Sequence, residues 1–188
     1  MMPVTRLTDA TFADLKVIAT WIGTGTPSET IDSLVREKMD ALDLERDVSD
    51  AAASSAVDAG GDLVFEKPPG LTFTRVLSAL VNNAKADKVN WSGLLIAVIG
   101  AVKAKGLSGE KLVTALQVPA KAKAYAEEGY KFYEDLGISV QGQSAQDAWK
   151  EVSRLAGKFG IPVEVRFQWR ENPKAQHPGR IGVIRAGQ

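Results

Sequence analysis

Apolar positions recur at helical spacing twice near the start of the chain. Phe12, Leu15, Ile18, Ala19 and Ile22 fall on one face of a first helix, with Thr8 or Thr11 placed to cap it. Gly23-Thr24-Gly25 then breaks the pattern. Thr26-Pro27-Ser28-Glu29 opens a second helix: Thr26 as cap, Pro27 in the first turn, and an acid three residues after the cap to close a capping box. Ile31, Leu34, Val35 and Met39 give that helix one apolar stripe, running on to about Leu44. Ahead of both lies a short strand-like lead, Val4 to Leu7. Strand, helix, turn and capped helix are too little chain to bury a core, so the pattern asks for a partner.

From Glu45 to Pro69 the periodicity fails. The Ala51-Ala52-Ala53-Ser54-Ser55 run, Gly60-Gly61 and Pro68-Pro69 read as a linker, with Leu63-Val64-Phe65 a brief strand able to dock on the next domain. That second domain starts at Leu71. Thr72 to Val81 is rich in β-formers and reads as a strand, although Leu77-Ser78-Ala79-Leu80 interrupts its alternation. Asn90-Trp91-Ser92 opens a helix apolar nearly all round, through Leu94, Leu95, Val98, Ile99 and Val102, which predicts a central buried helix. Ser108 starts a shorter helix that stops before Pro119, and Tyr130 to Phe132 with Ile138 to Val140 form two strands about a turn. Ser144 with Asp147 caps a helix whose buried face is Ala148, Trp149, Val152, Leu155 and Phe159, ended by Gly160. Val163, Val165, Phe167 and Trp169 then alternate with Glu164, Arg166 and Gln168, the pattern of a half-buried strand. A loop from Pro173 to Gly179 leads to a last strand, Ile181 to Ile184. The expectation is an α+β protein in three parts: a small, mostly helical dimerisation module over 1–45, a linker over 46–70, and an α+β domain over 71–188 with a mainly antiparallel sheet.

Charge changes this picture more than composition does. The 188 residues are 45% hydrophobic and 24% charged, ordinary for a globular protein. With no cysteine, disulfides and thiolate chemistry are excluded. Leu94 to Ile99 is far too short to span a membrane and Met1-Met2-Pro3 opens no signal peptide, so a cytoplasmic protein without membrane association is the expectation. The net charge of zero hides an asymmetry. Residues 1–60 hold five Lys/Arg against eleven Asp/Glu, a net of −6, and residues 61–188 hold eighteen against twelve, a net of +6. Such an asymmetry bears on partners rather than on fold.

Residues 4–42 resemble a ribbon-helix-helix module. The likeness is carried by Val4-Thr5-Arg6-Leu7-Thr8-Asp9 leading into Phe12…Leu15, then Gly23…Thr26-Pro27-Ser28-Glu29-Thr30-Ile31…Leu34-Val35. The resemblance implies that the short strands of two chains pair into a ribbon while the helices interlock into one dimeric core. It therefore assigns Leu7, Phe12, Leu15, Ile18, Ile31, Leu34 and Val35 to dimerisation. In members that read DNA, alternate ribbon side chains enter the major groove and the second helix's first amides hold a phosphate. Here the ribbon positions fall near Met2, Val4 and Arg6. The layout as a whole is similar to that of the SeqA replication-sequestration proteins, in which an oligomerising module precedes a separate DNA-binding domain.

An acidic front is a poor phosphate binder, which moves the candidate partner surface to the basic back. There, Arg166 and Gln168 share one side of a strand, and Arg170, Lys174, His177 and Arg180 lie in or beside the following loop, with Arg185 beyond it. Together they could neutralise several phosphates of double-stranded DNA, with Trp169 or Gln176 near base edges. The same residues also describe a solvated sheet face with a polar loop. Two further classes stay open: an antitoxin-like adaptor whose basic face meets an acidic protein, and a nuclease using Asp135 and Glu164-Val165-Arg166. The latter lacks the lysine such sites use, and an arginine does not give up a proton. His177 is the only histidine, which excludes a Ser-His triad or a multi-histidine metal site in one chain. Gly142 and Ser144 belong to a strand-to-helix turn, and no GxGxxG or P-loop pattern is present. Neither a catalytic residue, a cofactor nor a metal is expected. Trp91, Trp149 and Trp169 are assigned to the core, and Trp21 to the dimer interface.

Overall fold

The computed structural model describes residues 6–41 and 61–187. They fall into two compact units, one on each side of the gap. The protein is mixed α+β, with five helices and two sheets among these residues. The alanine-rich part of the linker, the start of the strand-like lead at Val4 and the continuation of the second helix to Leu44 lie outside the described residues, as does the side chain of Trp21.

The first unit is a pair of helices, α1 (Asp9–Ile22) and α2 (Pro27–Ala41). Thr8 caps α1 by accepting the Thr11 amide at 3.2 Å, and Gly23 ends it in the left-handed region at φ 73°. At α2 the capping box forms as its sequence predicts. The Thr26 hydroxyl accepts the Glu29 amide at 3.2 Å, and the Glu29 carboxylate accepts the amides of Thr26 (3.2 Å) and Gly25 (2.9 Å). Thr30 is fully buried, its hydroxyl 2.7 Å from that of Thr24 across the turn. Leu15 is buried inside this pair and Ile18 and Leu34 are half-buried. Leu7, Phe12, Val17, Ile22, Ile31 and Val35 remain exposed. Arg6 and Leu7 carry no regular structure ahead of α1.

The second unit runs β1 (Leu63–Phe65), β2 (Thr74–Val81), β3 (Ala84–Lys85), α3 (Trp91–Ala104), α4 (Gly109–Ala115), β4 (Ala120–Lys121), β5 (Tyr130–Tyr133), β6 (Ile138–Gln141), α5 (Ala145–Phe159), β7 (Val163–Trp169) and β8 (Ile181–Ala186). The larger sheet has the order β1-β8-β7-β2-β3 and is antiparallel except for β1 beside β8; β4-β6-β5 form a second, antiparallel sheet. The larger sheet thus begins at Leu63, inside the stretch that the sequence pattern assigns to the linker. Two features depart from the sequence expectation. Asn82 and Asn83 both sit at positive φ (51° and 62°) and close a two-residue hairpin between β2 and β3, which asparagine tolerates better than most residues. Along β2, Val76 faces Phe167 and Ser78 faces Arg166, so Leu77 is an extra residue in a β-bulge. The bulge explains the broken alternation. Thr74 and Val76 before it, and Ala79 and Val81 after it, all reach the same core.

That core lies between the larger sheet and the pair α3 and α5. The α3 helix is capped by Asn90, which accepts the Gly93 amide at 2.6 Å, and it buries Leu94, Val98, Ile99 and Val102 completely. The α5 helix is capped by Ser144, which accepts the Asp147 amide at 3.2 Å, and it buries Ala148, Trp149, Val152 and Leu155. The Trp91 indole N–H donates to the Thr74 hydroxyl at 3.0 Å, tying α3 to β2. Trp91, Phe167 and Trp169 follow one another edge to face or tilted, at centroid separations of 5.7 and 4.8 Å. Gly182 in β8 makes room for this row: a Cβ there would stand 2.6 Å from the Phe167 ring. Glu151 on α5 is buried with its charge compensated. It accepts the Gln117 amide at 2.8 Å and pairs with Arg154, whose guanidinium also donates to Ala115 O at 2.7 Å. The bond to Glu151 raises the Arg154 pKa further above its ordinary value. This clamp fastens the end of α4 to α5. No helix among the described residues is long and apolar enough to cross a membrane.

Candidate nucleic-acid interface

The alternation of β7 decides what faces outward. Val163, Val165, Phe167 and Trp169 are buried in the core, which turns Glu164, Arg166 and Gln168 to the opposite face. Residues directly opposite across paired strands share a face. Arg185 opposite Glu164 and Arg75 opposite Gln168 therefore join them, and Lys85 opposite Leu80 lies on the same side. Arg75 is there because of the bulge. Counting back by twos from Val81 and Ala79 would have turned Arg75 into the core; the extra residue at Leu77 turns it out. Arg75 escapes a reading of the sequence for this reason, with the interrupted alternation at Leu77-Ser78 the signal available, whereas Lys85 escapes it because the hairpin at Asn82-Asn83 does.

These side chains are organised rather than loose. Arg75 donates to Gln168 Oε1 from Nε (3.2 Å) and Nη2 (2.7 Å), and Gln168 Nε2 donates to Gly179 O at 3.0 Å. Arg166 forks onto Asp62, just ahead of β1, from Nε at 2.6 Å and Nη2 at 3.1 Å. Arg185 Nε donates to Glu164 Oε2 at 2.6 Å. The hydrogen bond from Arg166 holds the Asp62 carboxyl below its ordinary value, outweighing the opposing effect of burial, and it raises Arg166 in turn. Both ion pairs are partly exposed, so each contributes below about 1 kcal/mol. An arriving phosphate would compete with a carboxylate for each fork. Two of the arginines on this face are thus already charge-compensated.

The loop between β7 and β8 separates the remaining candidates. Arg170, Lys174 and Arg180 are exposed or half-exposed around a turn in which Asn172 Oδ1 accepts the Lys174 amide at 2.8 Å. His177 goes elsewhere. Its ring lies edge to face on Trp169 at 4.9 Å and beside Phe65 at 6.0 Å, against two aromatics of the core side rather than beside Arg166 and Gln168. Gln176 stays exposed, its side-chain oxygen accepting the Gly70 amide. Trp169, offered both for base edges and for the core, belongs to the core: it is fully buried and its indole N–H donates to Gly70 O at 2.9 Å. The clean alternation that made Trp169 conspicuous also places it inside.

The other candidate sites do not assemble. Glu164 is engaged by Arg185, whereas Asp135 lies at the β5–β6 turn, next to the second sheet, and accepts the Lys103 ammonium at its backbone oxygen. Among the described residues, no group of three or more His, Cys, Asp or Glu could hold a metal ion. The Gly142 amide donates to Gly129 O at 3.0 Å, and Ser144 caps α5. At the start of α2, where a DNA-reading ribbon-helix-helix module would hold phosphate, Glu29 already accepts two amides and the Thr26 hydroxyl a third. No protein-family model, curated protein or solved structure matches the chain.

Proposed function

We propose that this protein is a dimeric DNA-associated regulator whose helical first unit pairs two chains in the manner of a ribbon-helix-helix module. The second unit then presents the arginine face of its larger sheet to duplex DNA. One observation carries the reading: Arg75, Arg166, Gln168 and Arg185 stand on one face of β2, β7 and β8, with Arg170, Lys174 and Arg180 at its loop end. Guanidinium groups fixed by hydrogen bonds on a rigid sheet meet phosphates with little loss of side-chain entropy. Two such faces on one dimer gain avidity without any new contact, as in the layout of the replication-sequestration proteins.

The test is a duplex mobility-shift titration at two salt concentrations. Binding that weakens steeply with salt, with a log–log slope of about −4 if four or five cations are engaged, supports the reading. The double variant R75A/R166A should lose most of that affinity. Absence of duplex binding at low salt contradicts it. A second reading draws on Val64, 64% exposed, and half-buried Leu80 lying among the arginines, since mixed arginine and apolar surface is the composition of protein interfaces. Under it, an acidic protein co-purifies and R75A/R166A releases that protein instead.

A further inference from the structure

The second sheet carries a separate cluster of aromatic and basic side chains. The pairing of β5 with β6 sets Tyr133 opposite Ile138, on the core side, and Tyr130 and Phe132 opposite Gln141 and Ser139, on the outer side. Lys121 of β4 is also opposite Ser139 and shares that outer side. Tyr133 packs against the hydrophobic core; Tyr125, Tyr130 and Phe132 are half-exposed outside it. Aromatic rings that do not serve the core call for another explanation.

Their arrangement is fixed from below. Ser139 is completely buried, and its hydroxyl donates to Lys123 O at 2.8 Å and accepts the Tyr125 amide at 2.9 Å, folding the chain after β4 across the outer side of the sheet. This sets the Tyr125 and Tyr130 rings edge to face at 5.3 Å. The Lys121 ammonium lies 3.2 Å from the Tyr125 centroid and 4.5 Å from that of Tyr130. Lys123 is exposed beside them. Glu128 approaches Lys121 only to 4.0 Å and is 69% exposed, too distant and too solvated to neutralise it. Rings at a fixed angle, with ammonium groups held beside them, match the alternation of flat bases and anionic phosphates along an unpaired strand. Duplex DNA hides its base faces and would not use the rings.

We propose that the outer side of β4-β6-β5 is a stacking platform for single-stranded nucleic acid, with bases on Tyr125, Tyr130 and Phe132 and phosphates against Lys121 and Lys123. The site is separate from the arginine face and does not rest on it. The test is fluorescence anisotropy of the full chain with a labelled oligothymidine, beside a polyglutamate of equal charge. Binding of the oligothymidine is expected to weaken about tenfold or more in Y125A/Y130A. It should persist in Y125F/Y130F, which keep the rings, and in R75A/R166A, which should lose duplex binding only. K123E, changed at an exposed position, should weaken it several-fold. The proposal is overturned if the oligothymidine is not bound, if Y125A/Y130A and K123E bind it as wild type does, or if polyglutamate binds as tightly.

Discussion

The two units of this chain treat their apolar side chains in opposite ways. In the second, one core takes in the apolar faces of α3, α5 and both sheets, and Leu94, Val98, Ile99, Leu155, Phe167 and Trp169 reach zero exposure. In the first, two helices bury Leu15 and Thr30 but leave Leu7, Phe12, Val17, Ile22, Ile31 and Val35 at the surface. The helices are not poorly specified: α1 has its cap and its left-handed glycine, and α2 has a complete capping box. Local signals are satisfied while tertiary burial is not. Two helices of this length have too little surface to turn inward, and the proposed pairing of two chains would cover what they leave out. The second unit buries the apolar faces of its helices and sheets within itself.

That difference can be attacked from either side. The largest effect belongs to the self-sufficient unit. Trp169→Ala removes a fully buried ring and the indole bond to Gly70 O, and should cost about 3–5 kcal/mol in thermal or urea unfolding without changing the oligomeric mass. Glu151→Ala leaves the Arg154 charge and the Gln117 amide without their partner, and should cost about 3 kcal/mol in the same assay. Thr26→Ala probes the other side. It opens the capping box of α2 for about 1 kcal/mol, and should weaken association of the chains while the transition of the second unit stays where it was. A Trp169 variant that altered the mass, or a Thr26 variant that lowered the second unit's transition, would erase the distinction.

The smallest effect concerns pH. Asp62 titrates below its ordinary value of 3.8 because Arg166 stabilises the carboxylate. Its contribution is therefore present above the unfolded value and lost as pH falls through the lowered one. Since the pair is partly exposed, Asp62→Asn should lower stability near neutrality by less than about 1 kcal/mol, and the difference from the wild type should vanish as pH falls through the lowered value. A loss that persisted in acid would mean that Asp62 does more than hold Arg166.

Much of this was legible in the sequence because it depends on local rules. Thr26 and Glu29, Asn90, and Ser144 with Asp147 announce helix starts, and Val163 to Trp169 alternate without a fault. The rest depends on non-local pairing. Nothing in Leu63-Val64-Phe65 says that it will lie parallel to β8, and Leu77 as a bulge is visible only against Phe167 and Arg166. The site was half-legible for the same reason. Arg166 and Gln168 followed from alternation; Arg75 needed the bulge. Trp169 reads as a core residue from the same alternation and is one, whereas His177, grouped with the basic loop, packs against Trp169 instead. Arginines on a strand also give no hint of their acids, and Asp62, more than a hundred residues earlier in the chain, meets Arg166 through the sheet.

The account turns on whether the exposed apolar face of α1 and α2 closes against a second copy. Static light scattering on the full-length protein over a concentration series tests this most directly. The account predicts a mass of two chains of 20.1 kDa each, falling toward one only on dilution. A mass of 20.1 kDa at every concentration would contradict it.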